Sequence, residues 1–498
     1  MYAGSQHERD RIDGLATFSA AAFLTGMGLV AALARVGAPD RLVEALGPLI
    51  ALFGLAVIGA LTRSSRLADF LAARRAIPAV YGGLAFAATA AGLVLTLQTG
   101  PGGRSPLPGV DVALGLALAA LIVGPLVRAA NASAVSDVLA TRFAAARWPL
   151  ALALWTTSLL VAIAGLDAAV DIVVAHLGQS RHAGEIIVAV ALAMTVVPGG
   201  LKGLLWSDAA SAGGALAIAA IGAGLAWIGS AQAPLPALGT DWLAAPQAPV
   251  DAAALLFNVA AALSVGVFFV FASPAIGAPP GEARRAGLFG LFFAVVGLAL
   301  GASGLAAFWP DGAASGRSPI ASALVGAATW LPSLALARAG VLGAARAVGV
   351  DLVTAYGHLA VLASARIART RLMMLAVIAL AALASDTRFA GASRAIVLAL
   401  ALNLALVAPS FVLAAASRWR WPAAVAALAA GLATLVKLLA GAGLGAGSHE
   451  ILIDALIAGA AALIAGAAAG AAAAWAMGAQ RRGARADPFS DLPFEAND

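Results

Sequence analysis

The sequence has no cysteine, which excludes disulfides, thiol catalysis and zinc–thiolate sites. Its five histidines, His7, His176, His182, His358 and His449, show no metal-ligand spacing. Charged residues make up only 11% of the chain, where soluble domains carry about 25%. It contains no phosphate-binding loop, no Gly-x-Ser-x-Gly elbow and no metal-binding helix. These absences argue against ATP-driven transport and against an enzyme, and they imply no cofactor.

The 498 residues are 62% hydrophobic, more apolar surface than a soluble core can bury. Apolar runs of about 18 residues or more recur throughout, the pattern of transmembrane helices. In lipid every backbone group must be satisfied internally, and runs of this length select helices over a barrel. The expected fold class is therefore an all-α integral membrane protein of about 14 transmembrane helices. The expected spans are 14–36, 43–62, 78–98, 110–130, 147–177, 184–201, 207–230, 252–276, 285–308, 332–365, 371–385, 391–415, 421–444 and 450–478. The expected partners are the lipid bilayer and a small organic solute, with no nucleic acid.

The net charge of +6 is carried almost wholly by arginine. With the N-terminus placed in the cytoplasm and sides alternated, cytoplasmic segments hold 20 Lys/Arg residues and the opposite side seven. Arg338, Arg346 and Lys437 fall inside apolar runs. The asymmetry obeys the positive-inside rule and predicts both termini in the cytoplasm. High Ala, Gly and Arg with little Lys point to a GC-rich coding genome and to a bacterial inner membrane. Residues 1–77 are expected to hold two peripheral helices, 78–415 a ten-helix core, 416–480 two further helices and 481–498 a cytoplasmic tail.

Between two apolar runs stands Gly199-Gly200-Leu201-Lys202-Gly203-Leu204-Leu205-Trp206-Ser207-Asp208. This block resembles the loop between the fourth and fifth core helices of the sodium:solute symporter family, where a glycine pair leads to Trp-Thr-Asp. Other blocks follow in family order. Arg66–Pro78 resembles the approach to the first core helix, and Tyr81-Gly82-Gly83-Leu84-Ala85 its opening. Ser136–Phe143 resembles the block before the third core helix, and Glu282-Ala283-Arg284-Arg285 the step after the sixth. The match spans roughly residues 43–370, and the extra first helix resembles the acetate-type branch. The resemblance implies a leucine-transporter-type fold, two inverted repeats of five core helices. In such folds, broken helices expose backbone groups at the bilayer midplane.

Site residues follow from the same resemblance. The family's sodium site uses carbonyls of a broken first core helix and two adjacent hydroxyls on the eighth. Ala85, Ala88, Thr89 and Gly92 mark the first of these. Their small side chains permit an unwound segment, and equally permit close helix packing. An ungapped alignment of Gly340–Asp351 puts the hydroxyl positions at Ala347 and Val348, which offer no side-chain oxygen. The usual sodium site is therefore expected to be degraded. Arg346 either stands in for the ion as a fixed cation, or pairs with Asp351 or a carbonyl nearer an interface.

Asp351 and Thr354 are pathway candidates, with Thr354 the nearest downstream hydroxyl. Asp208 either takes a proton, pairs with Lys202, or simply opens a helix. Asp167 and Asp171, four residues apart, form either a cation path or an outer-interface pair near His176. The expected function is secondary transport of a small organic solute, such as a short monocarboxylate, by alternating access. The alternative is a sodium-independent or non-transporting relative acting as uniporter, sensor or scaffold.

Overall fold

The computed structural model of the protein describes residues 5–98, 109–129, 147–229, 252–279, 281–308, 319–348, 363–386, 391–415, 425–433, 436 and 448–485. Among them every regular element is helical. Helix α1 (Ser5–Arg35) and α2 (Asp40–Leu61) lead to a short α3 (Leu67–Ala72) and a tight turn, Ala73–Arg75. Then come α4 (Ala79–Gln98), α5 (Gly109–Leu118) and α6 (Gly124–Ala129), the last two joined through a π turn at Ala119–Val123. Next are α7 (Arg147–Leu177), α8 (Arg181–Val196), α9 (Leu201–Gly229), α10 (Ala252–Gly266) and α11 (Ser273–Gly277). The chain continues with α12 (Ala283–Phe308), α13 (Pro319–Arg346), α14 (Ala363–Asp386) and α15 (Gly391–Leu402). A second π turn, Asn403–Val407, leads into α16 (Ala408–Ala415), and α17 spans Ser448–Arg485.

Nine described helices are long and apolar enough to cross a membrane. The bent pair α10–α11 makes a tenth, with its segments at 48°. This covers part of the expected count of about 14.

Helix α13 is the hub. From Trp330 to Leu342 every one of its side chains is buried, against α7, α4, α9 and α2. A helix covered on all sides must be apolar all round and narrow, and its Ala- and Gly-rich sequence supplies both. Its approach to α7 is reciprocal. A β-carbon added at Gly340 would lie 2.4 Å from the Ala162 nitrogen, and one at Gly165 would lie 2.4 Å from the Ala337 nitrogen.

The sequence places the corresponding apolar segment at 332–365, which the structure corrects. The helix starts at Pro319 and keeps Pro332 inside it. Proline is tolerated there because neighbouring groups re-satisfy the local backbone. Ser333 Oγ donates to the Thr329 carbonyl at 3.0 Å, and Thr329 Oγ1 to Val325 at 2.8 Å. Arg346 consequently stands in the last turn and not in mid-helix.

One end of the bundle, the basic face, carries Arg63, Arg66, Arg74, Arg75, Arg284, Arg285, Arg369 and Arg371. The turn after α3 lies there. Ala73, Arg74 and Arg75 have φ of 47°, 52° and 56°, three consecutive left-handed residues with none of them glycine.

Candidate functional site

The turn Val197–Gly200 separates α8 from α9 and sets how α9 enters the bundle. Gly200 has φ +58°, and an added β-carbon would lie 2.5 Å from the Phe70 carbonyl oxygen. Glycine meets both demands. The turn bears out the expectation that the glycine pair ends one helix ahead of the next. Asp208 then lies about two turns, roughly 10 Å, inside α9. Ser207, Asp208 and Ser211 are all fully buried.

The partner of Asp208 is Arg338, which comes from α13 and is itself fully buried. Its Nε donates to Asp208 Oδ1 at 2.8 Å, and its Nη2 lies 2.8 Å from the same oxygen. Nη2 also donates to Ser211 Oγ at 2.8 Å, and Ser211 Oγ donates to the Ser207 carbonyl at 2.8 Å. Asp208 Oδ2, Ser207 Oγ and Arg338 Nη1 find no hydrogen-bond partner among the described residues. A carboxylate, the Ser211 hydroxyl and one guanidinium thus form a single polar node in an apolar bundle. Ionisable groups at such depth face the bundle interior and pair with one another.

The node is flanked by an alanine cluster. Ala88 of α4, Ala212 of α9 and Ala335 of α13 pack together with Leu84. All four of the predicted site residues on α4, Ala85, Ala88, Thr89 and Gly92, are buried. The unwound segment that the small residues permit does not form, because α4 runs unbroken from Ala79 to Gln98. Thr89 Oγ1 donates to the Ala85 carbonyl at 3.2 Å, which occupies one of the oxygens a sodium ion needs. A β-carbon at Gly92 would lie 2.2 Å from the Pro332 carbonyl oxygen, so Gly92 serves helix packing.

Arg346 reaches the basic face. Its Nη2 donates to the carbonyl of Leu71 in α3. A carbonyl is one of the pairings the sequence leaves open to it; the other, Asp351, lies outside the described residues. Ala347 is buried and Val348 half-buried, in a π turn that continues α13. Asp351 and Thr354 lie outside the described residues. Asp167 and Asp171 share Arg181, which donates through Nη2 to Asp167 and through Nη1 to Asp171 at 2.8 Å. Ser385 Oγ of α14 donates to Asp167 at 2.9 Å. His176 stays apart from this cluster, with Nδ1 2.8 Å from the Ile172 carbonyl of its own helix.

Sequence reasoning does not single out Arg338. One signal points to it: an arginine in an apolar run needs a buried partner, and Asp208 is a carboxylate with the same need.

The second broken helix of the expected fold is present as the α10–α11 bend. Phenylalanines fill the space beside it. Phe86 of α4 and Phe271 have ring centroids 5.2 Å apart, and Phe268 lies 6.2 Å from Phe271. Ser264 of α10 donates to the Leu400 carbonyl at 2.7 Å, and Asn403 donates back to the Ser264 carbonyl at 3.3 Å.

Among solved structures, 29 chains match. One is the substrate-bound, outward-open state of a Na+-coupled sialic acid symporter, described as revealing a novel Na+ site. It aligns with a TM-score of 0.64 over 86% of this chain and 96% of its own, at 14% identity. The chain has the leucine-transporter-type fold. At that identity the likeness concerns the fold alone. No protein-family model matches the chain, and no curated protein does. Counted in the order expected from the sequence, with the core beginning at residue 78, α4 is numbered core helix 1, α9 core helix 5, the α10–α11 pair core helix 6 and α13 core helix 8.

Proposed function

We propose that the chain is a secondary transporter that moves a small organic solute by alternating access without sodium. A short monocarboxylate such as acetate is the first solute to test. The observation that carries this reading is the Arg338–Asp208 pair between core helices 5 and 8. A sodium ion there would draw on hard oxygen ligands: the Asp208 carboxylate and the hydroxyls of Ser207 and Ser211. The guanidinium of Arg338 already holds the first and the last of these, and its own positive charge repels a second cation at low dielectric. The fixed-cation role therefore belongs to Arg338, with Arg346 at the basic face. The unbroken α4 supports the same reading, since its carbonyls are engaged within the helix.

On this reading the basic face is cytoplasmic, in a bacterial inner membrane, with both termini on that side. The test is solute uptake into proteoliposomes under an imposed sodium gradient, a proton gradient or none. Uptake or counterflow independent of sodium is the expected result, and clear stimulation by sodium would overturn it.

A second reading, a family relative that no longer transports and serves as sensor or scaffold, draws on the phenylalanines that fill the space beside the α10–α11 bend. Absence of counterflow for every small carboxylate tried, from protein that melts cooperatively, favours that reading.

A further inference from the structure

The basic face is stitched together by arginine side chains that bind backbone carbonyls. Arg371 of α14 donates through Nη2 to the Ser64 carbonyl at 2.7 Å and the Pro198 carbonyl at 2.8 Å, and through Nε to Val197 at 3.2 Å. Its Cζ also lies 5.4 Å from the ring centroid of Phe70. These carbonyls belong to chain just past the ends of α8 and α2, where helix termini leave acceptors unsatisfied. The Ser64 amide donates to the Pro198 carbonyl at 3.1 Å. Arg346, at the end of α13, binds the Leu71 carbonyl at the end of α3 in the same manner.

Both arginines converge on one small element. Phe70 of α3 is fully buried, with its backbone and ring against Gly200. Behind α3, a β-carbon at Gly277 of α11 would lie 3.8 Å from Ala73 and 2.4 Å from Leu205, which is fully buried. The Ile77 amide donates to the Gly277 carbonyl at 3.0 Å. Helix α3 therefore packs on α9 and α14 and closes the basic-face end of the bundle there. Its link to α4 is the left-handed run Ala73–Arg75, a conformation that non-glycine residues adopt singly and at a steric cost.

We propose that α3 is a gate over this end of the bundle, latched by Arg346 and Arg371 and hinged at Ala73–Arg75. The strained hinge favours opening, and two arginine clamps hold the gate shut: the Arg346–Leu71 bond, and Arg371, which lies over the Phe70 ring and ties the preceding Ser64 to the Val197–Pro198 turn. Their carriers, α13 and α14, are core helices 8 and 9, so a movement of those helices withdraws both clamps together. The proposal draws its purpose from the alternating-access reading. Its test contains no solute, so failure of transport and failure of the gate are separately visible.

The absence of cysteine makes the test free of background labelling. Leu205→Cys reports behind the gate. Ala323→Cys, fully buried against Gly47 of α2, reports elsewhere in the bundle. Labelling with a hydrophilic maleimide is followed in nanodiscs for the parent, Arg346→Ala and Arg371→Ala. Each latch variant is expected to speed labelling at position 205 on the order of tenfold, the ratio set by one lost hydrogen bond to a charged donor. Position 323 should be unchanged. Arg346→Lys, which keeps a cationic donor, should recover part of the protection. Ala73→Gly, which relaxes the hinge in its closed form, should return the Arg346→Ala variant toward the parent rate. Trypsin cleavage at the exposed Arg74 gives a second readout without cysteines and should accelerate in parallel. Unchanged labelling at 205 in both latch variants overturns the proposal. So does equal acceleration at 205 and 323, which would show general loosening.

Discussion

Asp208 holds Arg338 through a single carboxylate oxygen. Both Nε and Nη2 of the guanidinium lie 2.8 Å from Oδ1, and Oδ2 has no partner among the described residues. A two-oxygen clamp is the stronger geometry for such a pair. The one-sided contact leaves Nη2 available to Ser211 and joins the three side chains into a node.

Breaking the node from one side leaves a buried charge uncompensated. Arg338→Met and Asp208→Leu are each expected to destabilise the protein by about 3–5 kcal/mol. The double substitution should be much milder than the sum, since an apolar pair of similar volume replaces an ion pair at little cost. Apparent melting temperatures of the four proteins in one detergent check this. Additive losses would show that the two residues are not coupled.

Removing the fixed cation while keeping the oxygens should uncover a cation site. In Arg338→Ser, the Asp208 carboxylate and three hydroxyls face one another. The expected outcome is a melting temperature raised by sodium over choline in this variant, with no such difference in the parent. Substituting hydroxyls at Ala347 and Val348 should give no sodium response, because the α4 carbonyls that would complete that site are engaged within an unbroken helix.

The two glycines Gly200 and Gly213 should respond in opposite ways to alanine. Gly200 is left-handed and pressed against the Phe70 backbone. Its substitution combines a conformational penalty of about 1 kcal/mol or more with a steric clash. Gly213 lies within α9, where an added β-carbon meets nothing within 4 Å, and Ala there should be neutral or stabilising by up to about 1 kcal/mol. Folded yield on size exclusion, with melting temperature, distinguishes the pair.

The crossing of α7 and α13 sets the depth of Arg338. Gly340→Val is expected to prevent the backbone contact with Ala162 and to lower folded yield sharply. Gly54→Ala, at a position in α2 with open space around it, is the matched control. Equal yields from the two variants would show that the close approach is dispensable.

The glycine turn before α9 is readable in the sequence because steric demands on glycine are local. The order of core helices is readable because short motifs flank the apolar runs, and the fold follows from it. The register of α13 is not, because Pro332 looks like a boundary in water and is an interior residue in a packed bundle. Read from Pro332, the eighth helix has Arg346 near its middle and Arg338 near its start; read from Pro319, it holds Arg338 deep in the bundle. The sequence shows Asp208 and Arg338 as two isolated ionisable residues 130 positions apart. Only packing reveals that each is the other's counter-ion. The continuity of α4 is likewise illegible: Ala87–Gly92 suits either unwinding or close contact, and contact with Pro332 decides it.

The guanidinium at the node has a thermodynamic consequence. A dissolved ion is picked up on one side of a membrane and let go on the other, and that difference is what converts one gradient into another. A charge bonded to the chain crosses with the protein and comes back with it, so a full cycle moves none. On the proposed sodium-independent reading, and with no proton moving in the ion's place, the carrier would equilibrate its solute and not accumulate it. Net flow would then run downhill, in whichever direction metabolism on the two sides dictates.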